Sequence, residues 1–220
     1  MVNQPLNYMK IIELYDKYFV PPILRRHMLG VANVAMFLLD NWKGKSLNQN
    51  DLIKLCLTHD LGNLVRMNLD SPIGDEFSTE DLDFWKQKKQ EIIDMYGNID
   101  DEVTTKILTE VGFDPDLTKT INDKRFANSI NISKSNNWLL KILLYSDLRV
   151  LPTRIGTLKE RLDEVISRRR DLSERSDINE LCKACFKIES EIQSNLKVSV
   201  DLISDQIRSL EDKALLETEI

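Results

Sequence analysis

Apolar residues recur along this chain at helical spacing, interrupted by short polar breaks, and no stretch alternates with the two-residue period of a strand. The first predicted helix spans residues 7–19. It is stopped by Val20-Pro21-Pro22, because a residue before proline avoids the helical region. A second helix runs from Leu24 to about Trp42, with Leu24, Val31, Val34, Ala35 and Leu38 on one face. After a Lys43-Gly44-Lys45-Ser46 turn, a third carries Leu52, Leu55 and Cys56 on its apolar side and ends at His59-Asp60. Helices follow near 79–96, with Ser78-Thr79-Glu80-Asp81 as a capping pattern, and near 100–111. Gly97 and Gly112 close these two. Asp114-Pro115 opens a short helix by the N-cap and first-turn preferences. Further helices are predicted at 137–149, 157–170 and 177–212. Residues 68–79 are irregular and acidic, and two readings stay open for them: a lid beside a site, or an ordinary surface loop.

These elements predict an all-α protein, with one helical domain over 1–170 and a C-terminal helical extension over 171–220. The extension carries Ile178, Leu181, Cys185, Ile188, Ile192 and Leu196 as one stripe, which either packs on the domain or forms a homodimer seam.

Composition narrows the function classes. Apolar residues at 42% and charged residues at 30% suit amphipathic helices around a core, while seven glycines and six prolines are too few for a turn-rich all-β design. A net charge of −6 argues against a nucleic-acid binder, which needs a basic footprint. Three cysteines, an odd number, suit a reducing interior rather than a disulfide framework. Cys182-Lys-Ala-Cys185 lacks the second ligand pair of a structural zinc site and reads as two positions on a helix. No signal pattern opens the chain and no apolar run approaches eighteen residues, so the expectation is a cytoplasmic protein with no membrane partner.

The chemistry lies where polar groups interrupt the apolar stripes. His27 falls three residues after Leu24 and four before Val31; His59 falls one turn beyond Cys56; Asp147 falls three after Leu144 and seven after Leu140. Polar groups are costly on a core face unless something pairs with them. A metal ion satisfies imidazole and carboxylate together. The chain has only two histidines, and both sit in this way, with Asp60 adjoining the second.

The order His27 … His59-Asp60 … Asp147 resembles the H…HD…D signature of the HD-domain superfamily of metal-dependent phosphohydrolases, over roughly residues 20–165. The phrases Arg26-His-Met-Leu-Gly-Val-Ala32 and Thr58-His-Asp-Leu-Gly62 carry the likeness. The resemblance implies an HD-domain-like helical bundle in which His27, His59, Asp60 and Asp147 hold one divalent metal. The mixed nitrogen and oxygen set suits Mn, Fe, Co, Ni or Zn, with Mg a further candidate. It also implies hydrolysis of a small phosphorylated molecule, a nucleotide phosphomonoester first among them, by metal-activated water. Asp60, Asn63 and Arg149 are the catalytic candidates. Some members carry glutamate or lysine four residues after the motif histidine, where this chain has Asn63, so the acid or phosphate-clamping role of that position is in question. The dinuclear members need further histidines before the last aspartate, and none occurs here. For phosphate, Arg26, Arg66, Arg149 and Arg154 are the candidates, since guanidinium grips phosphate oxygens in pairs. Arg161, beside Glu160 and Glu164, reads as a surface ion pair. The rival expectation is a non-catalytic module that keeps the metal cage and binds a nucleotide without turnover.

Overall fold

A computed structural model describes residues 9–70, 79–207 and 213–220. The helices are α1 (Ile11–Lys17), α2 (Pro22–Asp40), α3 (Gln49–Thr58), α4 (Thr79–Tyr96), α5 (Asp100–Glu110), α6 (Pro115–Asp123), α7 (Ser129–Lys134), α8 (Trp138–Asp147), α9 (Leu158–Arg168), α10 (Arg170–Ser173), α11 (Ile178–Ser194) and α12 (Ile203–Gln206). Short 3₁₀ turns at Asn63–Arg66, Phe126–Asn128, Val200–Leu202 and Lys213–Glu217 complete the described elements. Among the described residues there is no strand, only isolated bridges such as Trp42 with Leu196 and Val150 with Ile155. The fold is all-α. No described helix is long and apolar enough to cross a membrane.

Local chemistry sets the boundaries. Pro22 opens α2, where its missing N–H costs nothing, and the chain reaches it through Phe19 in the left-handed region at φ 51°. Asn48 caps α3 by accepting from the Asp51 N–H, Asn137 caps α8 from Leu140, and Asp114 accepts from Asp116 and Leu117 at the start of α6. Thr157 and Glu160 form a reciprocal capping box on α9. The Ser78 capping pattern, and residues 71–78 of the acidic segment, lie outside the described residues.

The chain divides into two compact units. The first takes residues 1–25, 60–113 and 212–220. In it the Asn63–Arg66 turn packs on α4 and α5, and α1 packs on the Lys213–Glu217 turn. Ile11, Leu14, Leu61, Leu64, Val103, Ile107 and Leu108 are buried there. Glu110, the last residue of α5, gathers Lys17 and the hydroxyls of Tyr18 and Tyr96.

The second unit takes residues 26–59 and 114–211. Helix α8 is its centre: Leu140 to Ser146 are all buried, and the helix packs on α3, α6, α7 and α11. A helix apolar on every side has to be surrounded in this way. The stripe of α11 is spent inside the unit, with Leu181, Ala184, Cys185, Ile188 and Ile192 buried and α7 and α8 as the packing partners. The single helix expected over 177–212 stops at Ser194. Asn195 bonds back to the Glu191 carbonyl, Lys43 and Lys197 exchange main-chain bonds with Asn195 and Asn41, and Ser199 caps a new turn. Helix α7 was not expected, because six largely polar residues give no readable period.

Candidate metal centre

Three helix positions in the second unit converge. His27 lies in the second turn of α2, His59 caps the C-terminal end of α3 in a right-handed helical conformation, and Asp147 is the last residue of α8. Asp147 Oδ1 lies 3.1 Å from His27 Nε2 and 3.9 Å from His59 Nε2. The two imidazoles meet edge to face, with centroids 5.5 Å apart. The His59 side chain is fully buried, whereas those of His27 and Asp147 are 16% and 18% exposed, so the cluster opens to solvent on the His27 and Asp147 side. Asp60 is joined to His59 by one peptide bond, where the division between the units falls.

The 3.1 and 3.9 Å separations fit a cation. Metal–ligand bonds of about 2.1 Å set neighbouring ligand atoms about 3 Å apart and opposite ones about 4.2 Å apart. The donor chemistry fits as well. His59 Nδ1 lies 2.8 Å from the Cys56 carbonyl oxygen, which can only accept, so Nδ1 carries the proton and Nε2 keeps its lone pair. Burial alone would raise the Asp147 carboxyl, but the Lys124 ammonium, the His27 hydrogen bond and His59 outweigh it and hold the group well below the usual carboxylate range. Asp147 is therefore an anion at neutral pH. Burial pushes the Cys56 thiol far up, so it stays protonated in the absence of a metal.

The candidate arginines fare differently. Arg149 is 1% exposed and committed to the fold. Its Nε donates to the Gly156 carbonyl, and its terminal nitrogens donate to the Tyr145 hydroxyl, the Val200 carbonyl and Ser204 Oγ. Tyr145 in turn donates to Glu189, 2.8 Å away, which returns a negative charge to the buried cation. Burial pushes the Tyr145 phenol up, and Glu189 adds to this against Arg149, so it stays a neutral relay. Arg149, expected to grip phosphate and take part in catalysis, thus spends these donors inside the protein. Arg154 pairs with Glu160 at 2.7 Å on the surface, and Arg161 pairs with Glu164 as expected. Arg66 belongs to the first unit, where it pairs with Asp100 at 2.7 Å and lines an open cleft with Asn68, Lys86 and Lys89. Asn63 opens the 3₁₀ turn there, its N–H bonded to the Asp60 carbonyl. Arg26 is half-buried on α2, next to His27.

Sequence reasoning missed Lys124. Its ammonium lies 2.7 Å from Asp147 Oδ2, and its side chain is 13% exposed. A lysine following a short polar helix carries no periodic or motif signal; only packing brings it to the cluster.

The chain matches no protein-family model, no curated protein and no solved structure.

Proposed function

We propose that the protein is a metal-dependent phosphohydrolase of the HD type, acting on a small phosphorylated molecule of the nucleotide phosphomonoester class. The observation that carries this reading is the convergence of both histidines of the chain on the Asp147 carboxylate, with Asp60 adjoining. His27, His59, Asp60 and Asp147 would hold one divalent transition metal. Two neutral nitrogens and two anionic oxygens leave two positions of a six-coordinate ion for water and a phosphate oxygen. Such an ion, when bound, polarises the phosphoryl group and brings its water within reach of deprotonation near neutral pH. The protein's own part is to fix the ligands. The Cys56 carbonyl sets the His59 ring, Asp147 supplies a permanent anion, and the buried floor keeps solvent away on the His59 side. Arg26, one residue before His27, is the arginine we assign to substrate phosphate.

A second reading, a metal- and nucleotide-binding module without turnover, is favoured by one specific feature. Asn63 stands where an acid or lysine would assist the leaving group, and an amide supplies neither a transferable proton nor a charge.

Phosphate release from a panel of nucleotides and sugar phosphates separates the two. The purified protein is supplied in turn with Mn²⁺, Co²⁺, Ni²⁺, Zn²⁺ and Mg²⁺, and Asp60→Ala is run in parallel. Metal-dependent release that the variant loses supports the hydrolase. Saturable nucleotide binding with no release from any member of the panel replaces it with the binding module.

A further inference from the structure

Helix α6 packs on both α3 and α8, the helices whose C-terminal ends carry His59 and Asp147, and Lys124 follows α6 directly. The Asp147 carboxylate is divided among three neighbours. Oδ1 faces His27 Nε2 at 3.1 Å and His59 Nε2 at 3.9 Å, while Oδ2 is held by Lys124 Nζ at 2.7 Å. Lysine and aspartate side chains are only 13% and 18% exposed, so the pair is held by its surroundings and lightly screened.

An aspartate carboxylate turns easily about its last torsion, which is broad and roughly two-fold. It can therefore offer a metal one oxygen or two, and which it offers changes the coordination number. A cation fixed on Oδ2 removes that freedom. We infer that Lys124 is a positioning residue of the metal centre: it holds Oδ2 so that Asp147 presents Oδ1 alone to a divalent transition metal. The inference rests on the reading of His27, His59, Asp60 and Asp147 as ligands.

Two other roles for the same ion pair make different predictions. A lysine that only ties α6 to α8 would affect stability and leave metal binding alone. A lysine that only adds positive charge beside the site would repel a divalent ion, so its removal would tighten binding. Outer partners that orient a ligand act the other way, and their loss typically weakens metal affinity about 10- to 100-fold.

The test is Co²⁺ binding by the full chain. Affinity is read by competition with a chelator, and coordination is read from the position and intensity of the visible ligand-field bands. Wild type, Lys124→Met, Lys124→Gln and Lys124→Arg are compared, with thermal unfolding of each measured without metal. Lys124→Met is expected to lose about 10- to 100-fold in affinity and to change the bands. Lys124→Arg, which restores a cation on Oδ2, is expected to recover most of both. Lys124→Gln keeps a donor without the charge and gives an intermediate loss, so the comparison stands even if Lys124→Met fails to fold. Variants that bind Co²⁺ as the wild type does, or more tightly, with unchanged bands would overturn the role of Lys124 alone. A wild type that binds no Co²⁺ would overturn the ligand reading and this inference with it.

Discussion

His59 and Cys56 are joined from ring to main chain, with Nδ1 2.8 Å from the carbonyl oxygen three residues earlier on α3. The last carbonyls of a helix have no partner in the helix itself, and here one of them is satisfied by an imidazole. The bond decides which nitrogen is left for a ligand. Long-range ¹H–¹⁵N correlation spectra of the metal-free protein are expected to show the neutral His59 ring protonated at Nδ1. A ring protonated at Nε2 would leave no lone pair towards His27 and Asp147 and would remove the basis of the metal centre.

A metal held by these residues should stabilise the protein. An ion that binds only the folded state contributes about 2.7 kcal/mol at a hundredfold excess over its dissociation constant. For a chain of 220 residues this is a rise of roughly 5–10 °C in the unfolding midpoint. Scanning calorimetry with and without Mn²⁺ or Co²⁺ should record that rise in the wild type and its loss in His27→Ala. Equal shifts in the two proteins would mean that the ion binds elsewhere.

Arg149 is predicted to behave as a stability residue. Removing one partner from a buried, charge-balanced network leaves the others unpaired and costs about 3–5 kcal/mol. Arg149→Ala should lose this much in urea unfolding, and Arg149→Lys, which keeps the charge but not the forked donors, about 2 kcal/mol. Any Arg149 variant that remains folded should keep its metal affinity and its KM for a phosphorylated substrate. A variant of normal stability with a raised KM would return Arg149 to the phosphate site.

The contrast between Arg149 and Asp147 shows what could be read from the chain alone. Both are polar residues near the end of an apolar helix. Asp147 was legible because its position relative to Leu140 and Leu144 put it on the buried side, in company with two histidines similarly placed. The partners of Arg149 were not legible: Val200 and Ser204 lie about fifty residues away, beyond a break in the final helix that no glycine or proline marks. Lys124 was hidden for a related reason, since its contact with Asp147 depends on how α6 packs. Helix starts were legible at side-chain caps such as Asp114 and Thr157, and less so where long-range bonds end a helix, as at Ser194.

Glu110 gives the first unit an acid-sensitive joint. The hydrogen bond from Tyr96 and then the one from Lys17 hold its carboxyl below the ordinary glutamate range, against the opposing effect of burial. A depressed carboxyl stabilises the fold at pH values above its unfolded pKa and loses that contribution as pH falls through the folded one. The stability gap between wild type and Glu110→Gln should therefore be constant near neutrality and close below about pH 4.5, the ordinary value for glutamate. Because the Glu110 side chain is 44% exposed, screening keeps the gap to about 1 kcal/mol or less. Unfolding midpoints of the two proteins across the acid range check this, and a gap that persists at the lowest pH would assign the effect to packing instead.

Gly62, two residues beyond Asp60, tests how closely α5 approaches the chain just after the metal motif. Its φ of −83° is open to any residue, so backbone freedom is not the reason for glycine here. The reason is space. A Cβ at Gly62 would lie 2.7 Å from the Thr104 amide nitrogen and closer still to the Asp100 carbonyl oxygen, both of them main-chain atoms of α5 that cannot swing aside. The Gly62 N–H also donates to Thr104 Oγ1 at 2.9 Å, a buried bond that a displaced backbone would lengthen. Forcing such an overlap typically costs 1–3 kcal/mol, and about 1 kcal/mol more follows if the hydrogen bond is lost. Gly62→Ala is therefore expected to destabilise the protein by about 2–4 kcal/mol, and Thr104→Val, which removes only the bond, by about 1 kcal/mol. In the double variant the costs should sum to less than the separate losses, since both act on one contact. Urea unfolding of the four proteins measures this, and a Gly62→Ala protein as stable as the wild type would mean that α5 does not pack against Gly62 in solution.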